Sequence, residues 1–583
     1  MERGVMRGVT VEPEAAAPGA RCLALGPLDR IYRALCAILY NYAPLSGHPG
    51  GSLSSGPLAQ ALVFRALDLD LSAPDRDDAD RLVYAAGHKA LGLYALWALR
   101  DEVARIGAPR LLPADPRQRL RLEDLLGFRR NPVNLGEPAR SLGTRALDGH
   151  PTPATPFVPL ATGASGVGLA ASVGLALSLR DRYGPAAPRV HVLEGEGGLT
   201  PGRVAEALAA AATAGLDNLV LHVDWNQASI DSDRVCPEGD EPGDYVCWDP
   251  MDLARVHGWN VVPARDGADP AAIRVAQAAA LGLQNGRPTA VVYRTVKGRG
   301  YGLEGRRSHG AGHALCSAGF RAAIAALGPG LADALPCCGA RDCEGGSRRE
   351  VLDRCAWDAL RAVRGALEGE RAAVAVLAAA LEESRARLDA RGRRPRDDAP
   401  DRDRLFAAAA AAPPAELLPV PGEKATLRAA LGDALGHLGR AGRGAVLVAA
   451  ADLLDSTSVG LAAEGFPGGF WRARDNPGSR RLSVGGICED AMTGILSGLA
   501  AGGGHLGAGA SYAAFLAPLG HVAGRLHAIG MAARRERLPG CPSDPIVLVC
   551  GHAGLETGED GPTHADPQAL QVLQGSFPPG ACI

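Results

Sequence analysis

Lysine is nearly missing from this chain: of 61 basic residues only Lys89, Lys297 and Lys424 are lysine. An excess of either charge is missing too, because 64 acidic residues leave the net charge at −3. That balance excludes the broad basic field by which proteins hold nucleic acid or anionic lipid. Residues 1–19 lack the basic-then-apolar pattern of an export signal, and thirteen cysteines, odd in number and scattered, give no disulfide framework. Both point to a cytoplasmic chain with reduced thiols. Membrane-length runs of large aliphatics are missing as well. Two stretches, 151–179 and 491–524, carry no charged residue and are each long enough to span a bilayer. Both are rich in Gly, Ala and Ser and are broken by proline or histidine, so buried helices that approach another backbone closely fit them better than membrane spans.

What is present is enough for sizeable cores. The 583 residues are 47 % hydrophobic and 21 % charged, a globular composition with room for about three domains at roughly 100–200 residues each. Strand-like segments at 189–193, 218–224, 259–262 and 289–293 alternate with helical ones at 204–214 and 271–283, which predicts a parallel sheet covered on both faces. A second alternating unit has strands at 445–450, 481–484, 505–508 and 546–549, and residues 577–583 read as the start of one more. The expected organisation is an N-terminal tail (1–29), a first α/β domain (30–330), a linker with surface helices (331–420) and a second α/β domain (421–583) that is incomplete at its C-terminal edge. In the linker, Cys337-Cys338, Cys343 and Cys355 do not follow a paired zinc spacing.

Histidine placement is not random. Glycine is 76 of 583 residues, so about two of the 14 histidines should follow a glycine by chance, yet eight do: His48, His88, His150, His313, His437, His505, His521 and His552. Glycine beside histidine suits loops that bring backbone and imidazole to one ligand, although any single one reads equally as a surface loop. Gly195-Glu196-Gly197 ends one strand and Asn226 ends the next, at the crevice where parallel sheets hold phosphate ligands. Their carboxylate and amide oxygens suit Mg²⁺ or Ca²⁺ held together with a diphosphate; a plain strand-to-helix turn is the alternative. Gly485-Gly-Ile-Cys-Glu489 places a carboxylate at the start of an apolar helix, either as a functional group or as a helix N-terminal charge. Gly558-Glu-Asp-Gly-Pro-Thr-His564 is a site candidate or an acidic turn.

Together these pieces resemble the thiamine-diphosphate-dependent transketolase family, in family order over roughly residues 30–320 and 423–575. The resemblance rests on a first histidine loop, Ser46-Gly-His-Pro-Gly50, a second, Asp80-Arg-Leu-Val-Tyr-Ala-Ala-Gly-His88, and a third, Gly149-His150-Pro151, with Thr162-Gly-Ala-Ser-Gly-Val-Gly168, the Gly195 to Asn226 pair, Lys297-Gly-Arg-Gly300, Ser308-His309-Gly-Ala311, Gly486-Ile-Cys-Glu489 and the Gly558 to His564 heptad. It implies two thiamine-diphosphate-type doubly wound sheets, a homodimer with each active site built from both copies, and transfer of a two-carbon ketol unit between sugar phosphates. It also implies site roles. Glu196, Asn226 and the carbonyl of Ala228 would hold Mg²⁺ (or Ca²⁺ or Mn²⁺). His88, His309, Gly163, Ser165, Gly195 and Gly197 would surround the diphosphate. Glu489 would hydrogen-bond the aminopyrimidine from a water-shielded position, with Tyr512 and Phe515 packed on the ring. His48, His150, Ser456, His552, Asp560 and His564 would line the substrate channel, and Glu489, His48, His309 and His564 would take part in catalysis.

The chain departs from the family pattern in four places. Glu196 replaces the usual aspartate and is one methylene longer. Pro201 stands in place of an interface glutamate, with Glu206 retained on the following helix. Ala553-Gly554 follows His552 where Asp-Ser is usual. Family members also continue into a third α/β domain beyond the point where this sequence stops, which leaves a separate chain supplying that domain, or a non-catalytic fragment, as alternatives. A 2-oxo-acid decarboxylase or dehydrogenase of the E1 type, or a deoxyxylulose-phosphate synthase, would use the same cofactor for a different reaction.

Overall fold

The computed structural model describes residues 8–14, 19–42, 47–130, 135–310, 312–314, 316–328, 330–336 and 348–553, with 561, 563, 564, 568, 571 and 574 beyond them. Five strands form the first sheet: β1 (Arg81–Tyr84), β2 (Val190–Gly195), β3 (Leu219–Trp225), β4 (Asn260–Ala264) and β5 (Thr289–Arg294). All are parallel, in the order β1-β2-β3-β5-β4. Every residue of β2 is buried, as expected of a strand covered on both faces. Strand β1 was not expected; its residues read as part of the second histidine loop, and four residues leave little periodicity to find.

The helices of this half are α1 (Ala20–Tyr42), α2 (Pro49–Ala61), α3 (Ala90–Gly107), α4 (Val167–Tyr183), α5 (Gly202–Ala214), α6 (Pro250–Val256), α7 (Pro270–Gly282), α8 (Ala318–Leu327) and α9 (Leu331–Ala334). Local chemistry sets their ends. Asp249 and Asp269 each accept two backbone N–H bonds just before the proline that opens α6 and α7. Gly215, left-handed at φ 70°, closes α5.

Two expectations about the margins of this domain are corrected. The tail boundary at residue 29 falls inside α1, whose Cys22, Leu25 and Leu28 are buried. The linker helices are not surface helices: α10 (Arg348–Gly369) and α11 (Arg371–Arg391) put Leu360, Val363, Leu377 and Leu381 into the same core as α1 and α3. A charged sequence hid this because arginines on the outer face form ion pairs, as Arg387 and Arg391 do with Asp68 at 2.8 and 2.7 Å. Cys355 is disulfide-bonded, which corrects the expectation of a fully reduced chain. The other three cysteines of that cluster lie outside the described residues, as do residues 577–583. No helix among the described residues is long and apolar enough to cross a membrane.

The second half begins with α12 (Arg402–Ala410) and α13 (Leu427–Ala441) and builds a sheet from β6 (Val446–Ala450), β7 (Arg481–Leu482), β8 (Leu506–Tyr512) and β9 (Ile546–Gly551), with α14 (Asp490–Ala501) and α15 (Ala513–Arg537). Its order is β7-β6-β8-β9, all parallel. The two charge-free stretches meet here as α4 and α14. A methyl on Gly174 would lie 1.7 Å from the Ile495 carbonyl oxygen, and one on Gly498 1.7 Å from that of Ala171. Small residues thus let two buried helices touch backbone to backbone, and the match of residues 170–178 with 494–502 makes the pair parallel.

A polar tie fastens the same seam. Asp181, at the end of α4, accepts from Arg480 at 2.7 Å, pairs with His505 Nε2 at 2.9 Å and receives the Trp471 indole N–H at 3.3 Å. Ser178 Oγ lies 2.9 Å from the other nitrogen of His505. The Ser-His-Asp order is that of a hydrolytic triad, but all three side chains are fully buried, so it joins the two halves instead of meeting a substrate.

Candidate functional site

The first crevice lies where β2 and β3 end side by side, Gly195 paired with Asp224. Glu196 begins the turn after β2 and is 2 % exposed. Its Oε2 accepts the Asn226 N–H at 3.2 Å, while Oε1 is buried without a hydrogen-bond partner. Burial and the nearby Asp224 push its pKa up to about 7. Asn226 Oδ1 accepts the Ala228 N–H at 3.1 Å, and the Ala228 carbonyl accepts from Lys297 Nζ at 2.7 Å. Beneath them Asp224 receives Lys89 Nζ and Ser54 Oγ at 2.7 Å each, Asn226 Nδ2 at 3.0 Å, and the Thr295 hydroxyl. Burial opposes its ionisation, but these donors hold its pKa below the usual value.

Three imidazoles from separate loops close over this floor. The His48 ring lies 5.3 Å from that of His88 and 4.8 Å from that of His309, and His88 stacks on His309 at 5.9 Å. Lys297 Nζ sits 2.6 Å from His309 Nδ1. Burial, with Arg129 and Lys297 adding like charge, lowers the His48 pKa to about 4; burial and Lys297 lower His309 to about 3. His88 is lowered well below its ordinary value, chiefly by burial. These rings are therefore neutral near pH 7. His150 is exposed beside the Gly163 turn, where a methyl on Gly163 (φ +142°) would lie 2.9 Å from its ring. Ser165 is exposed on the same turn, and a side chain at Gly197 would meet nothing within 4 Å. That leaves backbone open to a ligand along the crevice.

The second cluster lies at the C-terminal edge of the other sheet. Glu489 caps the start of α14 and accepts from Ser511 Oγ at 3.1 Å. Tyr512 stacks on His552 at 4.1 Å, and His564 lies 5.6 Å from Tyr512 and 5.3 Å from Phe515, ring to ring. Ser456 follows β6 at the same edge, its hydroxyl turned back onto the Leu453 carbonyl at 3.4 Å. Asp560 lies outside the described residues. The expected shielding of Glu489 is not met within one chain: it is half-buried, between exposed Ile487 and 39 % exposed Phe515. The start of α14 instead faces α5, where Glu206 accepts the Ala491 N–H at 2.7 Å and Arg203 pairs with Asp490 at 3.3 Å. Among the described residues no hydrogen bond or ring contact joins Glu489, Tyr512 or Phe515 to the three-histidine crevice of the same chain.

Among the described residues, His48, His88 and His150 of the Gly-His pairs reach the first crevice and His552 the second. His505 belongs to the buried tie, and His313 bonds the Tyr301 carbonyl at 2.7 Å. Sequence reasoning missed Lys89, Asp224, Ser54, Thr295, Arg129 and Ser511. The rarity of lysine, with Lys89 directly after His88, was a usable signal; the hydroxyls and Arg129 carried none.

The thiamine diphosphate binding domain of transketolase matches residues 32–102 and 121–331, and the transketolase pyrimidine binding domain matches 423–576. The chain belongs to the transketolase family. Mouse transketolase-like protein 2 is 33 % identical over 255 residues, 44 % of this chain and 34 % of that protein. Human transketolase is 30 % identical over 267 residues, 46 % of this chain and 36 % of its own length. The matched region thus spans about a third of these curated relatives. Among solved structures, the Leishmania mexicana transketolase superposes with a TM-score of 0.65 at 24 % identity, covering 96 % of this chain and 72 % of that one. The Campylobacter jejuni transketolase gives 0.66 at 22 %, covering 95 % and 73 %. At these identities the structural likeness speaks for the fold, two parallel sheets in family order.

Proposed function

We propose that the chain binds thiamine diphosphate with a hard divalent cation, Mg²⁺ or in its place Ca²⁺ or Mn²⁺, and acts as a transketolase-like transferase of a two-carbon ketol unit between sugar phosphates. The observation that carries this reading is the buried, unpartnered Glu196 Oε1 beside an amide and a carbonyl oxygen, roofed by neutral imidazoles. Among the described residues no group of three or more His, Cys, Asp or Glu side chains is arranged as a metal site of its own. A cation would therefore depend on Glu196, Asn226 and the Ala228 carbonyl together with ligand oxygens, which suits Mg²⁺ or Ca²⁺ on a diphosphate.

When bound, thiamine diphosphate supplies a carbon nucleophile that also takes up the electron pair released on C–C cleavage. The chain's own groups position and protonate. Lys297, His88 and His309 would hold the diphosphate, and the turns at Gly163, Ser165, Gly195 and Gly197 would admit it close to backbone. Glu489, oriented by Ser511, would accept a hydrogen bond from the pyrimidine, with Tyr512 and Phe515 against the ring. His48, His150, His552 and His564, with Asp560 and Ser456, would serve the substrate, where an imidazole can hydrogen-bond to hydroxyl and carbonyl oxygens and exchange a proton with them. The open side of Glu489 favours completion of each site by a second copy.

The test is a melting experiment on the whole chain with thiamine diphosphate and Mg²⁺, followed by donor assays. Ligand at a hundred times its Kd stabilises by about 2.7 kcal/mol, and ketose phosphate rather than pyruvate should serve as donor. Glu489→Gln should retain cofactor binding and lose about 10²-fold or more in turnover. A parent melt that cofactor and Mg²⁺ leave unmoved would sink the reading.

A further inference from the structure

Behind the diphosphate floor, on the far side of Asp224, a cavity of 160 Å³ is bounded by Asp29, Arg33, Leu53, Ser54, Thr295 and Arg299. It has room for several water-sized occupants, far more than one bridging water needs. One of its walls carries a defect: Arg33 Nη2 is buried and has no hydrogen-bond partner. A buried unsatisfied donor costs about 1–3 kcal/mol, and more when it is charged. The second guanidinium, Arg299, is only loosely held, with its nearest carboxylate, Asp266, at 3.9 Å. The one acid lining the cavity, Asp29, already accepts from Gln60 at 2.8 Å, and burial raises its pKa against the opposing pull of Arg33, Gln60 and Arg299.

We propose that this cavity is a binding site for a small oxyanion, phosphate or a short carboxylate, held between Arg33 and Arg299. Two forked guanidiniums match the oxygens of such a group better than they match water. The opposite wall consists of Ser54 and Thr295, the two hydroxyls that hold Asp224 and, through it, Lys89. Gly300, whose added methyl would lie 3.0 Å from Arg33 Nη2, sits on the loop that carries Lys297. An anion in the cavity therefore touches the supports of both lysines at the cofactor crevice, and any coupling to cofactor affinity must be reciprocal.

Inorganic phosphate is the probe, titrated calorimetrically into the whole protein at constant ionic strength, with sodium chloride as control. The titration is run with and without saturating thiamine diphosphate and Mg²⁺, because phosphate in the cofactor crevice is displaced by cofactor and phosphate in this cavity is not. Saturable binding that survives cofactor, weakens 10-fold or more in Arg33→Met and 3-fold or more in Arg299→Gln, supports the site. Arg299 is exposed, so its substitution keeps the test open if Arg33→Met fails to fold. Acetate in place of phosphate separates the two ligand chemistries. No saturable binding in the parent, binding lost once cofactor is present, or unchanged binding in Arg299→Gln overturns the proposal. Should cofactor itself not bind, the arginine variants still decide the matter without it.

Discussion

The floor of the first crevice pairs Asp224 and Lys89 within its own chain and leaves Glu196 above it with one buried oxygen unpartnered, whereas the cluster at the second sheet leaves its carboxylate and rings half open. Asp224 has four donors and Lys89 a buried carboxylate, and the whole group is nearly inaccessible. Glu489 has one donor, Ser511, and Phe515 keeps 39 % of its surface. A site for a charged diphosphate must be built before the ligand arrives, because desolvating unpaired charge is costly. A site for a flat heterocycle can remain open and be closed by the ligand and a second protein surface, since stacking needs area more than preset charge.

The largest test of this contrast is Asp224→Ala, which strands the Lys89 ammonium in the interior. It should cost about 3–5 kcal/mol and lower the melting temperature sharply even without cofactor; a shift no larger than that of a surface variant would remove the idea of a prebuilt floor. Asp181→Asn at the tie between the halves should cost somewhat less, about 2–4 kcal/mol. The native environment holds the Asp181 carboxyl well below its ordinary pKa: burial opposes ionisation, but His505 and Arg480 outweigh it. Its contribution is therefore complete above about pH 4 and fades as the pH falls below that, a fade that the variant should lack.

Gly498→Ala, which forces a methyl against the Ala171 carbonyl, should cost about 1–3 kcal/mol and separate the halves to limited proteolysis. A neutral outcome would mean the two helices can move apart freely. A broader acid effect comes from the histidines. His48 near 4 and His309 near 3 lie below the unfolded value of about 6.5. The unfolded chain then binds more protons than the native one, and stability should drop as the pH falls from 6.5 towards 4. Melts at pH 7 and pH 5 check this, with cofactor absent. The smallest effect belongs to the open cluster: Phe515→Ala should move cofactor-free stability by no more than about 0.5 kcal/mol, while weakening the stabilisation that cofactor provides.

The strands of both sheets, apart from β1, were legible because apolar runs of strand length alternate with helical segments. The Glu196 and Asn226 pair was legible because parallel strands put consecutive C-terminal ends side by side. The reading of the charge-free stretches as close-packed helices held for α4 and α14, while residues 506–512 of the second stretch form β8. By contrast, the arginine-rich pattern of α10 and α11 looked like solvated surface, and only their partners at Asp68, Glu102 and Glu123 reveal an ion-paired outer face on a buried helix pair.

By itself the sequence determined most strands of the two sheets, their parallel sense and the residue types gathered at two strand edges, all of which follow from local period and spacing. Only the tertiary structure decided which of the glycine-flanked histidines share a crevice, that Lys89 neutralises Asp224, that Ser178, Asp181 and His505 are buried, and that Arg33 lines a cavity. Those outcomes depend on contacts between segments tens to hundreds of residues apart, where burial and pairing, not local preference, set the energy of each charge.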